Sequence, residues 1–65
     1  MKQEGFSSLR ARREHEGMTQ RQLADASGVP FRTIQNWERF GIDMATVGKA
    51  RRVAKALRCS VDDLL

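Results

Sequence analysis

Cysteine, histidine and proline each occur once in the 65 residues, and only 6% of the side chains are aromatic. The single cysteine, Cys59, excludes an internal disulfide and a cysteine-built metal cluster, and it fits a reducing, cytoplasmic setting. The single histidine, His15, has no carboxylate cluster at ligand spacing around it, and the chain shows no nucleophile–base pair and no phosphate-cradling loop. No apolar stretch approaches the length of a membrane span, and the first residues lack the apolar core of a secretion signal, so a soluble protein away from any membrane is expected. A chain this short holds one domain, residues 1–65, and buries only about 60% of its unfolded surface, which leaves no room for a deep substrate cavity. Neither catalysis nor a cofactor is expected.

Positive charge carried by arginine is what the chain does have. The net charge is +4, and nine of the twelve basic residues are arginine. A small basic domain attracts polyanions, and arginine suits bidentate recognition of phosphate and of guanine. Eight acidic residues are interspersed, so the charge balance alone also fits an ordinary solvated surface. The arrangement of residues has to decide.

With one proline and no alternating strand pattern, the chain reads as a series of short helices with legible ends, an all-α fold. The first spans about Ser7 to Glu16, with Phe6, Leu9 and Arg13 on one face. Gly17-Met18 stops it, because glycine accepts the left-handed conformation while the methionine folds back on the helix. The second, residues 19–27, opens with Thr19-Gln20-Arg21-Gln22. That is a capping box: the threonine hydroxyl accepts from the Gln22 amide, and the Gln22 side chain reaches back. Leu23 and Ala24 face inward, and Ser27-Gly28 ends the helix. The third, residues 30–40, begins near Pro30, whose missing N–H is no loss at a helix start. Residues 41–45 read as a loop. Thr46 is the expected cap of a fourth helix reaching about Leu57, with Val47, Ala50, Val53, Ala54 and Leu57 as its apolar face. Ser60 then caps a final turn or two with Asp62 and Asp63 at its positive end, while Val61, Leu64 and Leu65 either close the core or form a small apolar patch. Cys59, between Leu57 and Val61, reads as a small apolar core residue.

The informative set is Ala24, Gly28, Ile34 and Trp37. Two helices that cross steeply through a short turn need a small residue at their contact, which Ala24 supplies. They also need a residue at ease with positive φ in the turn, which Gly28 supplies. Ile34 and Trp37 then fix the second of these helices onto the first. At about 100° per residue from Ile34, the residues Trp37, Phe31 and Glu38 lie within roughly 60° of the core direction. Arg32, Asn36 and Arg39 point the opposite way, with Thr33 and Gln35 on the flanks. This face holds no acid, and its side chains are those that read base edges: arginine to guanine, asparagine or glutamine to adenine, a threonine methyl to thymine. An ordinary polar helix face is the plainer alternative, but a position on the second helix of a helix-turn-helix favours DNA.

The sequence resembles, over essentially its full length, the lambda-repressor-like, Cro-type (XRE family) helix-turn-helix domains. The resemblance is carried by LRARR at 9–13, GMTQ at 17–20, LA at 23–24, TIQNWE at 33–38 and AKALRCSVDDLL at 54–65. It implies a compact five-helix domain, a bacterial or phage transcriptional regulator whose partner is a double-stranded DNA operator, and a homodimer on a pseudo-palindromic site. It places Phe31, Arg32, Thr33 and Asn36 at bases, with Thr33 also able to reach the backbone. Gln20 and Arg39 fall at phosphates, Gln20 aided by the dipole of the second helix; Gln35 on the flank of the third helix, and Lys49 by its place near the start of the fourth helix and the 40–45 loop, are also expected at phosphates. It also pairs Arg13 with Glu38 in a partly buried ion pair that joins the first and third helices. Four positions depart from the family pattern. Phe31 replaces a polar residue and can either touch a thymine methyl or pack on the second helix. Pro30 replaces a serine cap. Phe40 and Arg58 replace glycines, and at Arg58 a strained turn is expected. Phe40, Val61, Leu64 and Leu65 form a candidate protein-facing surface or dimer seam. They keep open an alternative function, an interaction module or antitoxin built on the same scaffold.

Overall fold

In a computed structural model the chain is described over residues 8–42 and 46–64. Phe6, the expected helix start at Ser7, loop residues 43–45 and Leu65 lie outside the described residues. Four α-helices follow one another, α1 (Ser8–His15), α2 (Gln20–Ser27), α3 (Phe31–Phe40) and α4 (Val47–Ala56), and a 3₁₀ turn occupies Val61–Leu64. The fifth helix implied by the family resemblance is therefore a single 3₁₀ turn. Its cause is local: the Asp63 amide donates to the Ser60 carbonyl and the Ser60 amide donates to the Asp63 carboxylate, both at 3.1 Å, which closes the chain with i→i+3 spacing.

Chemistry near each helix end explains where it stops. After α1 the Met18 amide donates to the Arg13 carbonyl (3.1 Å) and the Gly17 amide to the Glu14 carbonyl (3.0 Å), a Schellman turn with Gly17 at φ 72°. The capping box of α2 is complete, with the Gln22 amide on Thr19 Oγ1 at 3.0 Å and the Thr19 amide on Gln22 Oε1 at 2.8 Å. At its other end Gly28 takes φ 71° and its amide donates to the Ala24 carbonyl at 2.9 Å. Pro30 is the residue just before α3, and Gly41, with its amide on the Trp37 carbonyl at 2.9 Å, closes that helix.

Thr46 precedes α4 as expected, yet its side chain makes no capping bond to the helix. Its backbone, at φ −114° and ψ 46°, lies outside the extended region from which a cap hydroxyl faces the free amides, whereas Thr19 at ψ 166° lies within it. The end of α4 repeats the Schellman pattern, with the Cys59 amide on the Ala54 carbonyl (2.9 Å) and the Arg58 amide on the Lys55 carbonyl (3.1 Å). Here the left-handed position is filled by Arg58 at φ 58°, the one positive-φ residue other than glycine among the described residues.

α2 lies between α3 and α4, while α1 packs on α3 and on the 3₁₀ turn, which α4 covers from the other side. Leu9, Leu23, Ile34, Val53 and Leu57 are fully buried at the junction. The polar Ser27 sits inside the helix-turn-helix bend without loss, because its hydroxyl donates to the Leu23 carbonyl (2.7 Å) and accepts from the Val29 amide (3.2 Å). Two expected apolar features change. Val47 is exposed, being about 70° from the centre of the buried stripe of α4. The described members of the candidate docking surface, Phe40, Val61 and Leu64, do not form one exposed patch: Leu64 is buried in the core, Val61 is half-buried against it, and Phe40 alone among them is exposed. Among the described residues no helix is long and apolar enough to cross a membrane.

Candidate nucleic-acid interface

α3 stands as a ridge held from behind. Ile34 and Trp37 sink into the core, and Glu38 reaches α1. The Glu38 carboxylate accepts from Arg13 Nε at 2.6 Å and from Arg13 Nη2 at 3.1 Å, the bidentate fork that arginine geometry favours. Arg13 Nη1 donates to the Met18 carbonyl at 2.7 Å, so the same guanidinium ties α1 to α3 and to the turn before α2. Both side chains are largely buried, at 11% and 6% exposure. The hydrogen bonds to Glu38 hold the Arg13 guanidinium above its already high ordinary pKa, against the opposing effect of burial. Arg13 therefore stays charged at any physiological pH.

The outward side of the ridge carries Arg32, Asn36 and Arg39, all exposed, with Gln35 exposed on one flank and Thr33 half-buried on the other. An open groove runs along each flank. One is lined by Gln35, Glu38 and Arg39 of α3 with Arg10 and Arg13 of α1 and Gln20 of α2. The other is lined by Thr33, Asn36, Trp37 and Phe40 of α3 with Gly41, Thr46 and Lys49. The expected phosphate-facing residues are thus divided between two sides: Gln20, Gln35 and Arg39 border one groove and Lys49 the other. A ridge with a cation-bearing groove on either side has the form that a major groove between two phosphate strands would meet.

Gln20 is less available than its position suggests. Its side-chain amide donates to Glu38 Oε1 at 3.1 Å and completes the carboxylate's third hydrogen bond. What α2 offers besides is its first amides, since those of Gln20 and Arg21 have no carbonyl of their own helix to bond. Phe31 is half-buried against the core, and the Arg21 guanidinium lies 4.5 Å from its ring centroid. The ring is thus packed between α2's arginine and the interior.

The charge is unevenly compensated. Each arginine of α1 has a carboxylate: Arg10 with Glu14 (3.1 Å), Arg12 with Glu16 (3.7 Å) and Arg13 with Glu38. Arg21, Arg32, Arg39, Lys49, Arg51, Arg52, Lys55 and Arg58 have no ion pair among the described residues, so most of the uncompensated positive charge lies on α3 and α4. Three contacts have no signal in helical periodicity: the Arg21–Phe31 stack, Arg10 on the groove wall, and Arg12. The last donates through Nε to the Leu57 carbonyl and through Nη2 to the Arg58 carbonyl, both at 3.3 Å, clamping the end of α4. Cys59 is half-buried beside this clamp. Burial, only partly opposed by the Arg12 charge, pushes its thiol pKa up.

The helix-turn-helix family model matches residues 9–64 of the chain. An uncharacterised HTH-type transcriptional regulator, y4wC, of Sinorhizobium fredii (strain NBRC 101917 / NGR234) is 36% identical over 50 residues, which is 77% of this chain and 34% of that protein. The chain thus spans about a third of the length of that relative. No solved structure matches the chain.

Proposed function

The chain belongs to the XRE-type helix-turn-helix family, and on that premise we propose that it binds double-stranded DNA sequence-specifically, as a transcriptional regulator that reads the major groove with α3. One observation carries the reading. Arg32, Asn36 and Arg39 are exposed together on a helix whose opposite side is fixed by Ile34, Trp37 and the Arg13–Glu38 pair, and no acid lies on that outward face. A rigid donor- and acceptor-bearing helix is what direct readout needs, because each base edge accepts a partner only within hydrogen-bond reach.

Arg32 and Asn36 are the base readers, with Thr33 beside them at the groove wall. Phe31, packed as it is, backs them and reaches a base only with its outer edge. Gln35 and Arg39 on one flank and Lys49 on the other meet the two phosphate strands, with Gln20 contributing through the start of α2. A homodimer would place two such ridges about 34 Å apart on a pseudo-palindromic operator. The role calls for no cofactor and no catalytic step, and places the chain in the cytoplasm with the DNA.

Selection from a pool of random duplexes tests this directly. A short recurring motif should be enriched, and Arg32→Ala should then lose discrimination at one base pair, by about 1–3 kcal/mol. A pool that returns no motif, or an Arg32→Ala variant with unchanged preference at every position, refutes the assignment.

A further inference from the structure

Phe40 has no place among these contacts. It is the last residue of α3 and 77% exposed. The helix end it occupies is closed by backbone, the Gly41 amide on the Trp37 carbonyl, so nothing among the described residues requires a ring there. Helical spacing sets Phe40 four residues from Asn36 and seven from Thr33, on one row of the ridge. Those three side chains border the same groove as Lys49. Among the described residues no carboxylate lines that groove, and the Arg39 guanidinium stacks 5.4 Å from the Phe40 centroid.

An occupant of this surface must be anionic and must also offer C–H surface. A second copy of the chain joined ring to ring would bring its own Arg39 and Lys49 against the first pair, which repels. A duplex fits both requirements, because thymine methyls and deoxyribose edges lie beside the phosphates. We infer that Phe40 is a DNA-contacting residue that packs against the C–H surface of the duplex at the outer edge of the site, with Arg39 stacked on it to meet the adjoining phosphate. This rests on the proposed reading of α3 and extends it to a residue outside the polar readout set. It also adds, at the far end of the helix, an aromatic contact more exposed than that of the half-buried Phe31.

The test uses the whole chain and a fluorescently labelled duplex carrying the selected motif, with binding followed by anisotropy. Because Phe40 is so exposed, Phe40→Ala should melt at the parent's temperature, which separates binding from folding. Its affinity should fall about fourfold or more, the factor corresponding to one buried methylene-sized contact at the least, with Phe40→Leu in between. The slope of log affinity against log salt should be unchanged in Phe40→Ala, whereas Lys49→Ala should flatten it by about 0.9. Replacing thymines by uracil one at a time identifies the surface touched. A methyl contact appears as one position that weakens the parent and not Phe40→Ala; a sugar contact appears as no such position. Phe40→Ala binding as tightly as the parent overturns the inference and leaves the reading of α3 standing, as does a Phe40→Ala variant that loses only self-association. Failure of the chain to enrich any duplex overturns both.

Discussion

Truncating Glu38 to alanine removes a carboxylate that accepts three hydrogen bonds, two from Arg13 and one from Gln20. It leaves a guanidinium at 11% exposure whose remaining hydrogen-bond acceptor is the Met18 carbonyl. An exposed ion pair is worth about 0–1 kcal/mol, but breaking a buried one by removing a single partner costs about 3–5 kcal/mol, because the other charge stays desolvated. Some water still reaches Arg13, so the lower end, about 3 kcal/mol, is expected. Against a total stability of about 5 kcal/mol for a domain this small, most of the fold's margin goes. With a urea dependence of about 1 kcal/mol per molar, the midpoint should drop by about 3 M. Trp37, the single tryptophan, reports the transition by fluorescence. Glu38→Gln, which keeps an acceptor without the charge, should fall between. The double variant Arg13→Met/Glu38→Leu should regain most of the loss, since apolar replacement of both partners removes the stranded charge. A midpoint shift under about 1 M for Glu38→Ala, or a double variant less stable than the single one, would refute the role given to this pair.

Three further outcomes follow from the backbone and from Cys59. Arg58→Gly should stabilise the fold by about 1 kcal/mol, because glycine takes φ 58° without the clash an L side chain suffers, and thermal melting should show a rise of about 4–8 °C. Gly28→Ala should destabilise by about 1–2 kcal/mol in the same assay. The nearest atom to the added methyl would be Arg52 Nη1 at 4.0 Å, so the cost is conformational and the folded fraction should retain its DNA affinity. Cys59 has a folded-state pKa raised by burial, so the folded protein holds the thiol proton more tightly than the unfolded chain does. That contribution is intact below the ordinary thiol range and is lost as pH rises through the raised value. Urea midpoints should therefore decline into alkaline solution more steeply for the parent than for Cys59→Ala.

The parts of the fold legible in the sequence were those set by local chemistry. A capping box needs only Thr19 and Gln22 at the right spacing, and Gly17 and Gly28 mark turns because few other residues accept their φ. The phase of α3 follows from Ile34 and Trp37 alone. What spacing does not carry is the choice between two partners for one long side chain. Arg12 could as well have pointed to solvent, yet it binds the carbonyls at the end of α4. Gln20 offers an amide to either phosphate or Glu38, and only the fold brings Glu38 within 3.1 Å. Phe31 lay at the edge of the core-facing arc by phase, where a ring can pack or reach a base, and the arginine stacked on it sits on another helix. The C-terminal apolar residues were ambiguous for a related reason: burial of Leu64 depends on α1 and α4 closing over it, which no local pattern records.

The central claim is that the Arg32–Asn36–Arg39 side of α3 is the surface that meets DNA, and amide chemical shifts measured during titration with the selected duplex test it most directly. The account predicts that the largest changes fall on residues 31–40, with smaller ones at Gln20, Arg21 and Lys49 and little at Asp62 or Asp63. Shifts confined to α1 or to the outer face of α4, with residues 32, 36 and 39 unmoved at saturation, would contradict it.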